Sequence, residues 1–96
     1  MEDFDFTNKA RDDLKAWNKR NPEFFKKRIL KLFESIKDSP EEGIGNPERL
    51  KHFREREIWS RRINLKDRLV YELVRDKNNQ VELIIIISMM GHYNDK

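Results

Sequence analysis

Apolar residues change their spacing near the middle of the chain, from intervals of three and four to alternation. Phe4-Asp5-Phe6-Thr7 alternates from the start, as a short first strand does. Asn8 then stands as an N-cap, and Ala10, Leu14 and Trp17 follow at helical spacing, with Arg11, Asp12, Asp13 and Lys15 on the outward face. This helix is expected to end between Asn18 and Arg20. Asn21-Pro22-Glu23 restarts one: a capping Asn, a Pro at the first helical position and an acid in the first turn. Phe25, Ile29, Leu32, Phe33 and Ile36 make its apolar stripe, opposite Lys26, Lys27, Lys31 and Glu34. The pattern predicts two antiparallel helices joined by a tight turn.

Ser39 to Pro47 is turn chemistry throughout, and holds two of the three prolines and two of the three glycines. Beyond it Ile58 to Ile63, Arg68 to Val74 and Val81 to Met89 read as strands, joined by Asn64-Leu65-Lys66-Asp67 and by a hairpin turn at Asp76-Lys77-Asn78-Asn79. The last strand is β-branched on both faces and is expected to be central and covered. The fold class is α+β in one domain over 1–96: a short strand and helical hairpin (1–39), a loop (40–50), and an antiparallel sheet (51–93) to which the first strand is added.

Composition narrows what such a domain does. With 36% hydrophobic and 41% charged residues, the core must be economical and the helices highly charged outside. No cysteine is present, which excludes disulfides, thiolate metal sites and a cysteine nucleophile. The acidic start Met1-Glu2-Asp3 is not a signal peptide, and the apolar run Leu83 to Ile87 is too short for a bilayer, so a cytoplasmic protein without membrane contact is expected. The net charge of +3 is unevenly spread: Arg49 to Arg68 holds 8 Lys/Arg against 3 Asp/Glu, a net of +5. Such an excess suits a polyanion, and is equally compatible with a solvated, ion-paired face.

RNA can be cut without metal or external water when its 2′-hydroxyl attacks the adjacent phosphate. That chemistry needs a base for the hydroxyl, an acid for the leaving 5′-oxygen, and cations for the phosphorane oxygens. The histidines are His52 and His92; His92 precedes Tyr93 at the end of the last strand. Glu48 follows the glycine–proline loop and precedes Arg49 and Lys51, while Arg61, Arg62 and Arg68 flank a strand turn. Each also has an ordinary reading, as a solvated or ion-paired surface charge, and spacing alone does not bring them together. Two histidines and no cysteine argue against catalytic zinc, and Gly43-Ile44-Gly45 is too short for a phosphate loop. Neither a metal nor a cofactor is expected.

Taken together, Gly43-Ile44-Gly45-Asn46-Pro47-Glu48, Leu50-Lys51-His52, Trp59-Ser60-Arg61-Arg62-Ile63, Arg68-Leu69-Val70-Tyr71 and Gly91-His92-Tyr93 closely resemble the YoeB/Txe toxins of the RelE superfamily. The likeness covers about residues 40–93 by motif, and residues 1–39 by layout. It implies a microbial-RNase-like fold, with two helices packed on a small curved antiparallel sheet. It also implies the toxin half of a type II toxin–antitoxin pair: a metal-independent, ribosome-dependent mRNA endonuclease that cuts in the A site and leaves a 2′,3′-cyclic phosphate and a 5′-hydroxyl. By motif, Glu48 matches the general base, His92 the general acid and Arg68 the phosphorane-stabilising arginine. Lys51 and Arg62 match supporting phosphate contacts and Tyr93 the residue that orients or stacks on substrate. Arg49 and Arg61 join the substrate-binding set from the basic segment. Departures are a longer stretch over Phe53 to Ile58, Met90 where members often carry a base, and Asn94-Asp95-Lys96 beyond the tyrosine.

The partners this implies are a YefM/Axe-like antitoxin, the small ribosomal subunit with its 16S rRNA, mRNA, operator DNA through the antitoxin complex alone, and a second copy of the chain. Competing readings keep the fold and drop the chemistry: a ParE-like binder acting on a target such as gyrase, or a degenerate toxin serving as a DNA-binding co-repressor. ParE-like relatives lack the Glu, Arg and His set that is present here.

Overall fold

The computed structural model describes residues 4–91. In chain order its elements are β1 (Phe4–Phe6), α1 (Asn8–Arg20), α2 (Pro22–Phe24), a π-helical segment (Phe25–Ile29), α3 (Leu30–Asp38), β2 (Glu48–Arg49), β3 (Glu57–Arg62), β4 (Arg68–Arg75) and β5 (Val81–Ser88). From α2 to α3 the backbone at the joints stays right-handed helical, so the expected second helix is one rod containing a π turn. Thr7, one residue before the expected cap, closes the start of α1: its hydroxyl accepts from the Ala10 amide. Asn21 caps the second rod by accepting from Phe24 N, with Pro22 at the first helical position.

The strands form one sheet in the order β1-β5-β4-β3-β2. The meander β3-β4-β5 is antiparallel as expected, but β1 runs parallel to β5, with Phe4 opposite Ile84 and Phe6 opposite Ile86. The sheet is therefore mixed. The helical rods between carry the chain back across the sheet, and the Thr7 amide and hydroxyl extend the parallel ladder to Ile86 O and Ile87 O. Strand β5 is interior, flanked by β1 and β4, although β4 holds the centre. Register irregularities at Val70/Tyr71 and Val74/Arg75 bend the β4–β5 pair.

The helices cover one face. Phe4, Ala10, Trp17, Ile29, Leu32, Phe33, Ile36, Ile63, Leu69, Tyr71, Ile84 and Ile86 form the main core there. Phe33 sits edge-on against Phe4 and Phe6 at 5.3 and 5.9 Å between ring centroids, and Trp17 meets Phe24 across the helical hairpin at 5.4 Å. On the other face a smaller cluster of Leu50, Ile58 and Val70, flanked by Phe53 and Ile87, lies beneath the 50–56 segment. No described helix is long and apolar enough to cross a membrane.

Asp13 departs from expectation. It is buried, not outward: its Oδ2 accepts the Met89 amide at 2.9 Å and pairs with Lys9 at 2.8 Å. Trp17 donates its indole N–H to Met89 O at 2.7 Å. One turn of α1 thus holds both backbone groups of the residue just past β5.

Candidate active site on the open face of the sheet

Side chains directly opposite each other on paired strands share a face, and positions two apart along a strand do too. Glu48 lies opposite Ser60, Ser60 opposite Val70, and Arg62 opposite Arg68. Ile58 and Val70, in phase with these, belong to the smaller cluster, whereas Trp59 and Tyr71 join the helix-covered core. Glu48, Ser60, Arg62 and Arg68 therefore stand together on the face away from the helices. The convergence that spacing could not supply comes from register.

Arg68 opens β4 and is half-buried. Its Nε–H donates to Ser60 Oγ at 2.9 Å, and its Nη2 is buried with no hydrogen-bond partner. An unsatisfied buried guanidinium donor is costly and calls for an explanation, and an anion is the natural one. The neighbourhood adds to that cost, because Arg62 stands directly across from Arg68 and like charges so placed repel. A phosphate between them would relieve both.

Arg61 is the opposite case, and corrects the expectation that it contacts substrate. It is 0% exposed. Its Nε donates to Tyr71 OH at 3.1 Å, Nη1 to Ser35 Oγ at 2.7 Å and Ile44 O at 3.1 Å, and Nη2 to Ser39 O at 2.7 Å and Glu42 O at 2.6 Å. A guanidinium has five N–H donors, and here all are engaged. Arg61 is in phase with Trp59 and Ile63, so parity puts it on the covered side, where it fastens the 39–45 loop to the sheet. Tyr71 completes the clamp by donating to Pro40 O at 2.7 Å. Burial pushes its phenol above the ordinary value, against the Arg61 hydrogen bond, so it stays a neutral donor.

That loop delivers Glu48. Gly43 (φ +115°) and Gly45 (φ +85°) adopt left-handed conformations, and a Cβ on Gly43 would collide with Ser35 Oγ. Arg62 N donates to Gly45 O at 2.6 Å, and Asn46 turns the chain with φ 52° before Pro47. Glu48 enters the sheet on a two-residue edge strand, and its side chain is exposed.

Of the other expected contacts, Arg62 is exposed on the site face. Arg49 is exposed but lies opposite Trp59, so alternation turns it from Glu48 toward the other face. Lys51 and His52 sit in an exposed turn after Leu50. His92 and Tyr93 lie outside the described residues. The chain just before them is firmly tied: Gly91 N donates to Asp67 Oδ1 at 2.8 Å, and Gly91 O accepts from Arg68 N at 2.9 Å. Hollows of about 520 Å³ beside Lys37, Pro40 and Arg75, and about 330 Å³ beside Phe4, Leu30 and Phe33, contain none of the site residues. Among the described residues no three His, Asp or Glu side chains group as a metal site.

Ser60, Asp13 and Asp67 have no role in the motifs. Ser60 carried a signal: its phase matches Arg62 and Glu48 follows a turn. Asp13 did too, being three residues after Ala10 and four before Trp17, on the apolar stripe itself.

Residues 6–93 match the family described as the YoeB-like toxin of bacterial type II toxin–antitoxin systems. The toxin YoeB of Synechocystis sp. is 40% identical over 77 residues, 80% of this chain and 81% of the relative. Among solved structures, the YoeB dimer from Staphylococcus aureus is similar with a TM-score of 0.75 and 33% identity, covering 95% of this chain and 97% of that one. The YoeB–YefM complex from the same organism gives 0.71 and 37%, covering 94% and 95%.

Proposed function

The chain belongs to the YoeB-like toxins of bacterial type II toxin–antitoxin systems, and from that premise we propose that it is a ribosome-dependent mRNA endonuclease. The observation that carries this reading is the pair of arginines on the open face: Arg68 with a buried, unpartnered Nη2, and Arg62 directly across from it. Glu48, one strand away in register with Ser60, takes the proton of the 2′-hydroxyl. That oxygen attacks the adjacent phosphorus. Arg68, with Arg62 and Lys51, balances the charge on the phosphorane oxygens. His92 protonates the departing 5′-oxygen, and Tyr93 orients or stacks on the substrate. The products are a 2′,3′-cyclic phosphate and a 5′-hydroxyl, with no metal and no external water in the balance.

Efficient cleavage calls for the 2′-oxygen to be held in line with the scissile bond, which is worth on the order of 7 kcal/mol or more. Exposed side chains such as Glu48 and Arg62 do not impose that geometry on a free strand; the ribosomal A site does. Exposed Arg49, Arg54, Arg62 and Lys66 leave a basic surface for 16S rRNA even with Arg61 buried. The partner that holds the activity in check is a YefM-like antitoxin, by likeness to the Staphylococcus aureus complex, and a second copy of the chain fits the likeness to the dimer. Operator DNA is reached through the antitoxin.

The test is cleavage of a defined mRNA on programmed ribosomes in chelator, with complex integrity checked. Wild type cuts; Arg68→Ala loses roughly 10²–10³-fold and His92→Gln roughly 10²–10⁴-fold, each with its fold intact. Full activity in both folded variants, or equal rates on naked RNA, rejects the reading.

A further inference from the structure

Between Glu48 and Arg68 stands a side chain that makes no obvious chemical claim. Ser60 is 1% exposed, lies opposite Glu48 on one side and Val70 on the other, and accepts the Arg68 Nε–H at 2.9 Å. A hydroxyl this deeply buried, in phase with Ile58 and opposite Val70, would ordinarily be replaced by a packing residue at little cost; here its oxygen has a defined partner. Arginine carries several free torsions. With Nε engaged, the guanidinium plane is fixed and the two Nη groups are left for a ligand, one of them buried and unsatisfied. Arg61, the adjacent residue in sequence, shows the alternative: every donor is consumed by protein, and no ligand is possible.

We propose that Ser60 is the positioning residue of the reaction: its hydroxyl holds the Arg68 guanidinium so that the Nη edge meets the phosphate as negative charge develops. The inference rests on the reading of Arg68 as the phosphorane-stabilising group. Ser60 does not touch the reacting atoms. Its contribution appears where Arg68 acts, in the transition state, so losing the hydroxyl lowers kcat and leaves KM nearly unchanged. A group displaced by about 1 Å can lose on the order of 10²-fold in rate.

Ser60→Thr and Ser60→Val make the decisive pair, because they are isosteric, both suit a strand, and differ in the hydroxyl alone. On programmed ribosomes Ser60→Thr is expected to keep kcat within about threefold of wild type, and Ser60→Val to lose roughly 10–100-fold at equal KM. In the Arg68→Ala background the same exchange is expected to change nothing. The Arg68 Nε–H resonance, read by ¹⁵N-edited NMR of the free protein, should be protected from exchange in wild type and Ser60→Thr and lose protection in Ser60→Val. Wild-type kcat in folded Ser60→Val overturns the assignment, as does an equal loss with and without Arg68, which marks a general effect on the fold. If Arg68→Ala itself cuts normally, the reading of Arg68 fails instead, and the NMR comparison still reports whether Ser60 holds the side chain.

Discussion

Replacing Arg61 by lysine separates a structural arginine from a substrate-binding one. The native guanidinium spreads five hydrogen bonds over Tyr71 OH, Ser35 Oγ and the carbonyls of Ser39, Glu42 and Ile44. An ammonium has three donors on a single atom and cannot span both sides of that cage, so at least two buried acceptors lose their partner. Each lost bond to a buried charged group costs about 1.5–3 kcal/mol. Partial repair by the lysine leaves a net loss of roughly 3 kcal/mol, a large part of the 5–15 kcal/mol typical of a domain this size. At about 4–8 °C per kcal/mol, the Tm of Arg61→Lys should fall by roughly 12–24 °C. Thermal and urea denaturation of purified protein measure this. Cleavage should be retained at temperatures where the variant is folded, reduced only as the 39–47 loop loosens and Glu48 with it. A variant as stable as wild type that has lost cleavage would return Arg61 to the substrate-binding set and refute the clamp.

Gly43→Ala places a Cβ against Ser35 Oγ at a φ of +115°, and should cost about 2 kcal/mol in urea denaturation; a change under about 0.5 kcal/mol means the loop is not pinned to α3. Trp17→Phe removes the donor to Met89 O and should accelerate amide exchange of Met89 and Gly91 far more than of β3; uniform exchange across the sheet counts against a local anchor. Glu57 accepts Arg75 Nε at 2.7 Å and Nη2 at 3.0 Å, and these bonds hold its carboxyl below the ordinary 4.5. A lowered folded-state pKa stabilises above the ordinary value and is lost as pH falls through the lowered one, so Glu57→Gln should shrink the stability difference between pH 7 and pH 3 by roughly 1 kcal/mol; an unchanged difference removes Glu57 from the acid transition.

Much of this architecture is visible in periodicity, because burial imposes it. The apolar stripe Phe25 to Ile36 and the alternation in Leu69 to Leu73 follow from having one covered face each. What periodicity lacks is direction. Nothing in Phe4-Asp5-Phe6 says that it pairs parallel to β5, since a three-residue strand satisfies either ladder. Nor does a two-residue strand at Glu48 have a period to read. Arg61 and Arg62 look equivalent by type, yet alternation separates them: Arg61 shares its phase with Trp59 and Ile63, both apolar. The charge of the segment masks that clue. The motif resemblance placed Glu48 and Arg68 in one site without explaining their meeting; Ser60, in register with one and hydrogen-bonded to the other, supplies the explanation.

The N-terminal half, which lies within the family match over residues 6–93, acts on the site from behind. Two segments adjoin the site residues: the loop ending at Glu48, and Met89 to Gly91, whose last carbonyl accepts the Arg68 amide. Both are tied to other elements. Ser35 of α3 accepts from Arg61 and from Ile44 N, and so ties the glycine loop to the helix before it turns into β2. Asp13 and Trp17 of α1 hold the backbone of Met89, and Asp67 together with the Arg68 amide holds Gly91. None of these anchors has a part in the proposed chemistry, so each is free to be satisfied within the fold. Arg68, the proposed phosphate-binding group, keeps a donor unsatisfied. The division follows from one physical constraint: a donor spent on the fold is unavailable to a phosphate, so Arg61 spends all five of its donors on the loop and Tyr71, whereas Arg68 spends Nε on Ser60 and leaves Nη2 without a protein partner.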